Sequence, residues 1–513
     1  MSDRSWMSRF QIPGWRRLQR LPRQLLRQNP FDGDVIPARV PLFQPGSGRP
    51  TLPFPHPWNY REPIRILETY YHGSEKCQAA GRHNRYLDFP GFPPVLVTRD
   101  PGIIRAILTA TGDREGEFDR DTLPSTGIAR ATGKDTLLFS NGPFWRRQRK
   151  IVATPFGKTS LFQEEMFAEF EQTARATIRN RLAVLRQHLQ ENQKTRVRIS
   201  VEVEVKALML EMLVNCFFGA DVPYERIRAE FVPAFERVID HIVLDTVSNR
   251  LGISVALRAR FSRRYREVQR DFDRMEELTN LALAPRRSGN GLWKRFKSDA
   301  SDEVLRSNLK VFLAGALEAT TSYATWAISH LARDLTTQEQ VYQEIRMIED
   351  YSPDSLAEAS WLKRVLEETL RLTPSLYFLP RCATADTWVT AGDGRRMYIP
   401  DGTHILLDVW HANRHEDHWG TEVSEFPANE FHPRRWEYLA EQNRGSKETL
   451  HFGFGHGARV CPGKHLAQIE VALVVGAFVK LFRFEATEAA NDVRAGVSTR
   501  PRDGTLVELE PRT

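Results

Sequence analysis

Phe452-Gly-Phe-Gly-His-Gly-Ala-Arg-Val-Cys461-Pro-Gly-Lys-His-Leu466 is a glycine-dense loop that leads straight into an apolar-periodic helix, on which Leu466, Ile469, Leu473 and Ala477 share one face. Pro462 suits a first helical position, so Cys461 is expected at the N-cap, where unpaired backbone N–H groups and the positive dipole end favour a thiolate over a thiol. A thiolate is a metal ligand. No second Cys or His stands nearby at zinc spacing, so one sulfur fits the axial position of a haem. Gly453, Gly455 and Gly457 let the backbone run flat beneath a macrocycle, and Arg459 is placed to reach an anionic propionate. Two competing motifs fail. A phosphate-binding G-x-x-x-x-G-K-[ST] loop would need one residue fewer between Gly457 and Gly463-Lys464, and His465 stands where its hydroxyl belongs. Gly453 to Ala458 imitates a dinucleotide fingerprint, but no acidic residue follows about 20 residues on within a strand–helix–strand unit.

The segment Phe454-Gly-His-Gly-Ala-Arg-Val-Cys461-Pro-Gly463 resembles the haem-binding signature of the cytochrome P450 family at every constrained position. The resemblance implies a mainly α fold with small peripheral β-sheets (α+β), with haem b (iron protoporphyrin IX) buried between a long distal helix and the Cys-ligand loop. Cys461 would be the iron ligand, the only protein ligand of the metal, with Phe454, Gly455, Arg459 and Gly463 around the cofactor. The resemblance recurs in order along the chain. Glu368-Thr-Leu-Arg371 sets an acid and a base at i, i+3, a spacing equally common on solvated helices. In the family such a pair is completed by an arginine from a Pro-x-Arg-aromatic segment, and Pro433-Arg-Arg435-Trp436 supplies it. A Glu368–Arg371–Arg435 cluster would organise the haem side structurally and take no part in the chemistry. Trp145-Arg-Arg-Gln-Arg149 resembles the family's WxxxR helix, which implies propionate contacts for Trp145 and Arg149, and Arg381 matches a further propionate arginine. Arg146, Arg147, Lys150 and Lys464 offer a docking face for an acidic electron donor or a plain solvated face.

The distal wall is expected in Val311-Phe-Leu-Ala-Gly-Ala-Leu-Glu-Ala-Thr-Thr-Ser322. Gly315 and Ala316 allow close passage over a ring, and Glu318 with a hydroxyl is placed to relay protons. Aligned on Glu318, Ala319 falls where the family has its relay threonine. Three outcomes stay open: Thr320 or Thr321 substitutes through a local helix distortion, substrate or water supplies the hydroxyl, or dioxygen is not activated by the usual route. Family substrate regions map onto 113–140, 205–250, Leu376, Tyr377, Phe378 and Leu379, and the turn Ala495–Thr499 with Val497, which favours an apolar substrate of moderate size.

The 513 residues, 41% hydrophobic, 27% charged and 10% aromatic, exclude disordered, collagen-like and disulfide-scaffold classes. Cys77, Cys216 and Cys382 are isolated and read as small buried hydrophobes in a reducing compartment. The apolar runs Val471–Val479 and Ala319–Ala332 fall short of the ~18 residues of a membrane span. Residues 1–30 carry seven arginines against Asp3, most of the net +7. That opening reads as a solvated basic tail, a contact for an anionic membrane surface or an organelle address, with Pro13 and Pro22 interrupting any long helix. Residues 1–63 are expected as a basic, Pro/Gly-rich lead-in without a transmembrane helix, and 64–513 as a single haem domain.

The implied activity is a haem-thiolate monooxygenase that activates dioxygen and hydroxylates or epoxidises an apolar small organic substrate. Electrons would come from NAD(P)H indirectly, through a separate reductase or ferredoxin. A peroxygenase or peroxide isomerase/dehydratase on the same fold is the alternative favoured by Ala319, and a non-catalytic haem-thiolate ligand binder or sensor is a third. A monomer in the cytoplasm is expected, in peripheral membrane contact through residues 1–30 or free of it. Secretion is not expected, and no basic patch with interleaved aromatics points to nucleic acid.

Overall fold

The structure is a computed structural model that describes residues 15–44, 47–51, 62–73, 82–112, 117–120, 132, 136–153, 156–161, 164–191, 196–248, 253–286, 301–348, 359–444, 450–487 and 492–512. The first 14 residues of the basic opening and most of the 113–140 pocket region lie outside them.

The principal helices are α1 (Trp15–Leu25), α2 (Pro63–Tyr70), α3 (Pro101–Ala110), α4 (Gly142–Ala153), α5 (Glu164–Glu191), α6 (Val201–Glu211), α7 (Val232–Ser248), α8 (Arg263–Leu283), α9 (Asp302–Leu331), α10 (Leu335–Ile345), α11 (Ser360–Leu372), α12 (Arg435–Glu441) and α13 (Lys464–Leu481). The strands are β1 (Asp32–Gly33), β2 (Ala38–Arg39), β3 (Asn84–Leu87), β4 (Val95–Thr98), β5 (Phe118–Asp119), β6 (Val197–Ser200), β7 (Leu379–Ala383), β8 (Thr387–Thr390), β9 (Arg396–Ile399), β10 (His404–Leu407), β11 (Phe482–Ala486), β12 (Val493–Ala495), β13 (Thr499–Pro501) and β14 (Leu506–Pro511). They form sheets ordered β1-β9-β8, β2-β3-β4-β10-β7-β5, β11-β14-β6 and β12-β13. A mainly helical body with small sheets is what the sequence led us to expect.

The centre of the body is α9. Ser301 caps it by accepting from Val304 N–H at 3.4 Å. Every residue from Thr320 to Ser329 is buried, so this half is enclosed on all sides by α6, α11 and α13. Asp100 caps α3 at 3.0 Å from Ile103 N–H, with Pro101 at the first helical position. In the six-stranded sheet β10 lies between parallel β4 (Ile405 opposite Leu96) and antiparallel β7 (Ile405 opposite Arg381). That pairing fixes Arg381 at the edge of the helical core.

Several elements depart from the sequence reading. The amphipathic stretch 255–284 reads in the sequence as one helix, but it is broken at Phe261–Ser262, where Ser262 is extended (φ −140°, ψ 127°) and starts α8 afresh. The stretch 203–219 likewise reads as one helix and passes into a π-turn at Met212–Phe217. Strand β3 was not foreseen because all four of its residues are buried, so it shows no polar alternation. Residues 32–33 and 38–39, inside the expected lead-in, pair with β9 and β3 as edge strands. From Trp15 the basic opening is no free tail. Helix α1 runs through Pro22, and buried Gln24 donates to Asp88 Oδ1 (2.5 Å) and Phe92 O (2.7 Å) and accepts from Gly91 N–H (2.9 Å). Those three bonds offset the helix bond that Pro22 removes.

Candidate functional site

The loop from Phe452 to Gly463 takes its shape from left-handed residues: Phe452 (φ 55°), Gly455 (φ 74°) and Gly457 (φ 70°). Gly455 N–H closes on Phe452 O at 2.8 Å, and Cys461 N–H on Phe454 O at 2.9 Å. A Cβ on Gly457 would stand 2.5 Å from Leu108 O, so only glycine lets the loop seat on α3. Phe454 packs edge-on to Tyr323 of α9 and lies beneath Lys464. One expectation is corrected here. The N-cap of α13 is Gly463, not Cys461, because a separate turn first closes between Cys461 O and Lys464 N–H (3.4 Å). Cys461 therefore lies two residues ahead of the cap. Burial pushes its thiol up, against the Gly463 N–H and the charges of Arg149 and Lys464, which pull it down. Gly463 itself has open space where a Cβ would go, so no neighbour requires glycine there.

Beside the loop is a corner of arginines. Arg459 gives Nη2 to Ser140 O (2.9 Å) and Asn141 Oδ1 (2.6 Å), and lies 4.1 Å above the ring of buried Trp145. Its Nε and Nη1 are buried with no acceptor among the described residues. Arg381 is 3% exposed, bound to Thr111 Oγ1 (3.2 Å) and Pro380 O (2.7 Å). Burial, then the repulsion of Arg120 and Arg459, holds Arg381 well below the usual guanidinium range. Burial brings Arg120 down to about 10 and, together with Arg120, Arg459 to about 9. Asp119 is the carboxylate that offsets Arg459, and burial raises its own pKa. This corner calls for anions, a demand that the propionates of a haem would fit.

Across from the loop, α9 stays a regular α-helix through Gly315, Ala316, Glu318, Thr320 and Thr321, without the local distortion considered from the sequence. A Cβ on Gly315 would meet open space. Thr320 donates to Ala316 O at 2.7 Å, while the Thr321 hydroxyl is fully enclosed with no partner among the described residues. Glu318 does not stand free. It accepts from Ser498 Oγ (2.9 Å) and pairs with Arg500, which also reaches Glu202 (2.7 Å). Lys206 continues the chain, 3.0 Å from Glu202 and paired with the half-exposed Glu236. Sequence reasoning placed Ser498 in the pocket turn without its bond to Glu318 and missed Arg500 and Glu202, whose contacts leave no local pattern.

The β12–β13 turn carrying Val497 sits between α9 and the 374–379 segment: Thr499 N–H bonds Ser375 O (2.9 Å) and Ser375 Oγ bonds Ala319 O (2.9 Å). Leu379 approaches Gly455, and Leu376 is 40% exposed. Tyr377 and Phe378, expected to line the pocket, pack in a cluster with Val40, Ile64, Leu67, Trp410 and Ala495 of the pocket turn. The Tyr377 hydroxyl holds Gly496 O at 3.2 Å.

Behind the loop, Glu368, Arg371 and Arg435 are all fully buried. Arg371 meets Glu368 at 2.9 and 2.8 Å, and Arg435 meets it at 3.2 Å. Arg371 also donates to the carbonyls of Asn413, Ala428 and Glu430, and Arg435 to those of Trp419, Phe426 and Pro427. The His432 N–H and Trp436 Nε1 complete the Glu368 shell at 3.0 and 3.1 Å. Burial alone would raise Glu368; its two arginines hold it below the usual carboxylate range.

The sequence model of the family described as Cytochrome P450 matches residues 85–504. The chain belongs to the cytochrome P450 family. It is similar to cytokinin hydroxylase of Arabidopsis thaliana, 23% identical over 83% of this chain and 81% of that protein. It is also similar to cytochrome P450 4F12 of Homo sapiens (23%; 82% and 80%) and cytochrome P450 76A2 of Solanum melongena (26%; 76% and 80%). Cytochromes P450 are oxidoreductases that carry haem, and one of the relatives named above is a hydroxylase. No helix among the described residues is long and apolar enough to cross a membrane.

Proposed function

We infer that this chain is a haem-thiolate monooxygenase acting on an apolar small organic substrate, with Cys461 as the iron ligand. The observation that carries this reading is the half-buried Cys461 thiol beside a corner of guanidiniums in which Arg459 keeps two buried nitrogens without an acceptor among the described residues. Bound there, haem supplies activation of dioxygen for inserting one oxygen atom into a C–H or C=C bond. Arg459, Arg381 and Arg120 would hold the propionates, and Arg149 and Lys464 favour the thiolate of Cys461 by charge. Gly315 and Ala316 leave room beside α9, and Leu376, Leu379 and Val497 give the substrate apolar walls. Electrons from NAD(P)H arrive through a separate reductase or ferredoxin, with exposed Arg146, Arg147 and Lys150 as the docking face. Exposed Leu25 and Leu26 beside the arginines of α1 support a peripheral membrane contact.

The first test is the difference spectrum of the dithionite-reduced protein with and without carbon monoxide. The long-wavelength Soret band of a thiolate-bound haem is expected, and a short-wavelength band or no haem overturns the reading. Turnover that requires NAD(P)H and a reductase supports the monooxygenase. A peroxide-driven reaction is the second reading, favoured by Ala319 on an undistorted helix, and turnover with peroxide alone would establish it.

For proton delivery, Thr320 keeps its oxygen lone pairs for a water while donating to Ala316 O, and Glu318 is paired with Arg500. Thr320→Ala is expected to lower product per NAD(P)H several-fold and to release peroxide, whereas Thr321→Ala leaves coupling unchanged. Glu318→Gln should slow turnover on the order of 10²-fold. Unchanged coupling in Thr320→Ala would reject the hydroxyl relay, and unchanged turnover in Glu318→Gln would reject the acid.

A further inference from the structure

Away from the haem-side residues, His83, His415 and His418 converge from two distant parts of the chain. His83 precedes β3, His415 caps the short helix Glu416–Trp419, and His418 lies within it. Each offers a ring nitrogen, and these atoms all lie within 4.8 Å of one another. The rings pack at 4.4 Å (His83–His415), 5.3 Å (His83–His418) and 5.6 Å (His415–His418) between centroids.

The hydrogen bonds leave one nitrogen of each ring available. His83 Nε2 is 3.3 Å from Asp417 Oδ2, while its Nδ1 is buried with no partner among the described residues. His415 Nδ1 accepts from Asp417 N–H at 3.2 Å, which leaves its Nε2. His418 Nε2 is buried and likewise without a partner. Two buried, unsatisfied imidazole nitrogens are expensive in a core and point to a ligand.

We propose that His83, His415 and His418 bind a divalent transition-metal ion of the zinc class, with Asp417 orienting His83 or closing the fourth position. Three imidazoles and a carboxylate are a borderline donor set that suits zinc over magnesium or calcium. At about 2.0–2.1 Å from each nitrogen the ligating atoms close to roughly 3.4 Å apart, so the rings tighten around the ion. Burial, then the neighbouring rings, lowers His83 to about 3. Burial and Arg99 lower His415 to about 4, and burial lowers His418, so the rings are uncharged at neutral pH and their lone pairs are ready. Arg82 and Arg99 face the cluster and oppose a cation; Asp417 and Asp100 counter them. Asp417 is half-exposed, which opens the site to solvent. The ion would pin the start of β3 to the segment that leads into the Arg371 and Arg435 carbonyl cage.

The test uses the full-length, haem-loaded protein without an affinity tag, dialysed against chelator and then titrated with zinc alone. Metal retained after gel filtration is counted by mass spectrometry, and zinc-edge X-ray absorption reads the ligand shell without interference from iron. One zinc per chain in a shell of nitrogen and oxygen is expected. His415→Gln and His83→Gln should each weaken binding on the order of 100-fold, and Asp417→Asn on the order of 10-fold, with the carbon monoxide spectrum unchanged. If His83→Gln does not fold, His415→Gln decides, because that ring is partly exposed. No retained zinc at micromolar concentrations, a sulfur-containing shell, or equal retention in His415→Gln overturns the proposal.

Discussion

Cys461→Ala is expected to remove the long-wavelength Soret band of the reduced, carbon monoxide-treated protein and to bring product formation to background, while the far-ultraviolet circular dichroism stays that of the parent. The two readouts separate because the backbone at this position is held independently of the sulfur. Cys461 N–H bonds Phe454 O, and the loop is shaped by Phe452, Gly455 and Gly457. Alanine keeps those bonds and removes the one atom that can donate charge to iron. The variant still presents the arginine corner, so it should retain some haem with a weaker or displaced ligand. An unaltered thiolate-type spectrum in Cys461→Ala would end the assignment of this residue.

Glu368→Gln is expected to be the most destabilising single change in the helical core, by about 3–5 kcal/mol, because it leaves Arg371 and Arg435 buried without a counter-charge. Shape is nearly preserved, so the loss reports charge. The pH dependence has a definite sign. The folded carboxyl lies below its unfolded value of about 4.3. Its contribution is therefore complete above that value and is lost as pH falls through the folded one. The stability gap between parent and Glu368→Gln should be widest near neutrality and should narrow below about pH 4. Urea midpoints followed by tryptophan fluorescence across that range measure it, and a gap that widens on acidification would contradict the charge argument.

The parts that could be read from the sequence are those whose chemistry is local. The glycines, Arg459 and Cys461 sit within one short stretch, and Glu368 and Arg371 within one helical turn. The Cys461 N-cap was misread because a proline after a candidate cap looks the same whether the helix starts at once or after an extra turn. Arg500 and Ser498 reach Glu318, and Glu202 reaches Arg500, only through the packing of β13 and α6 against α9, which no periodicity encodes. Tyr377 and Phe378 read as pocket residues by position in the chain. The strand that begins at Leu379 turns them into the cluster around α2 instead. The three histidines were passed over because two belong to a polar stretch and the third stands alone.

The docking of α1 has a practical side. Composition alone would suggest trimming the arginine-rich opening at about residue 30 to improve handling or crystal growth. That cut would strip Gln24 from Asp88, Gly91 and Phe92, and would remove Arg20 from the carbonyl of Asp401. Two turns of the sheet region, at 88–92 and at 401, would lose those bonds at once. Trimming ahead of Trp15 takes away Arg4, Arg9 and the starting Met while leaving that clasp whole, so the useful boundary for a shortened protein is set by one buried glutamine and not by where the positive charge ends.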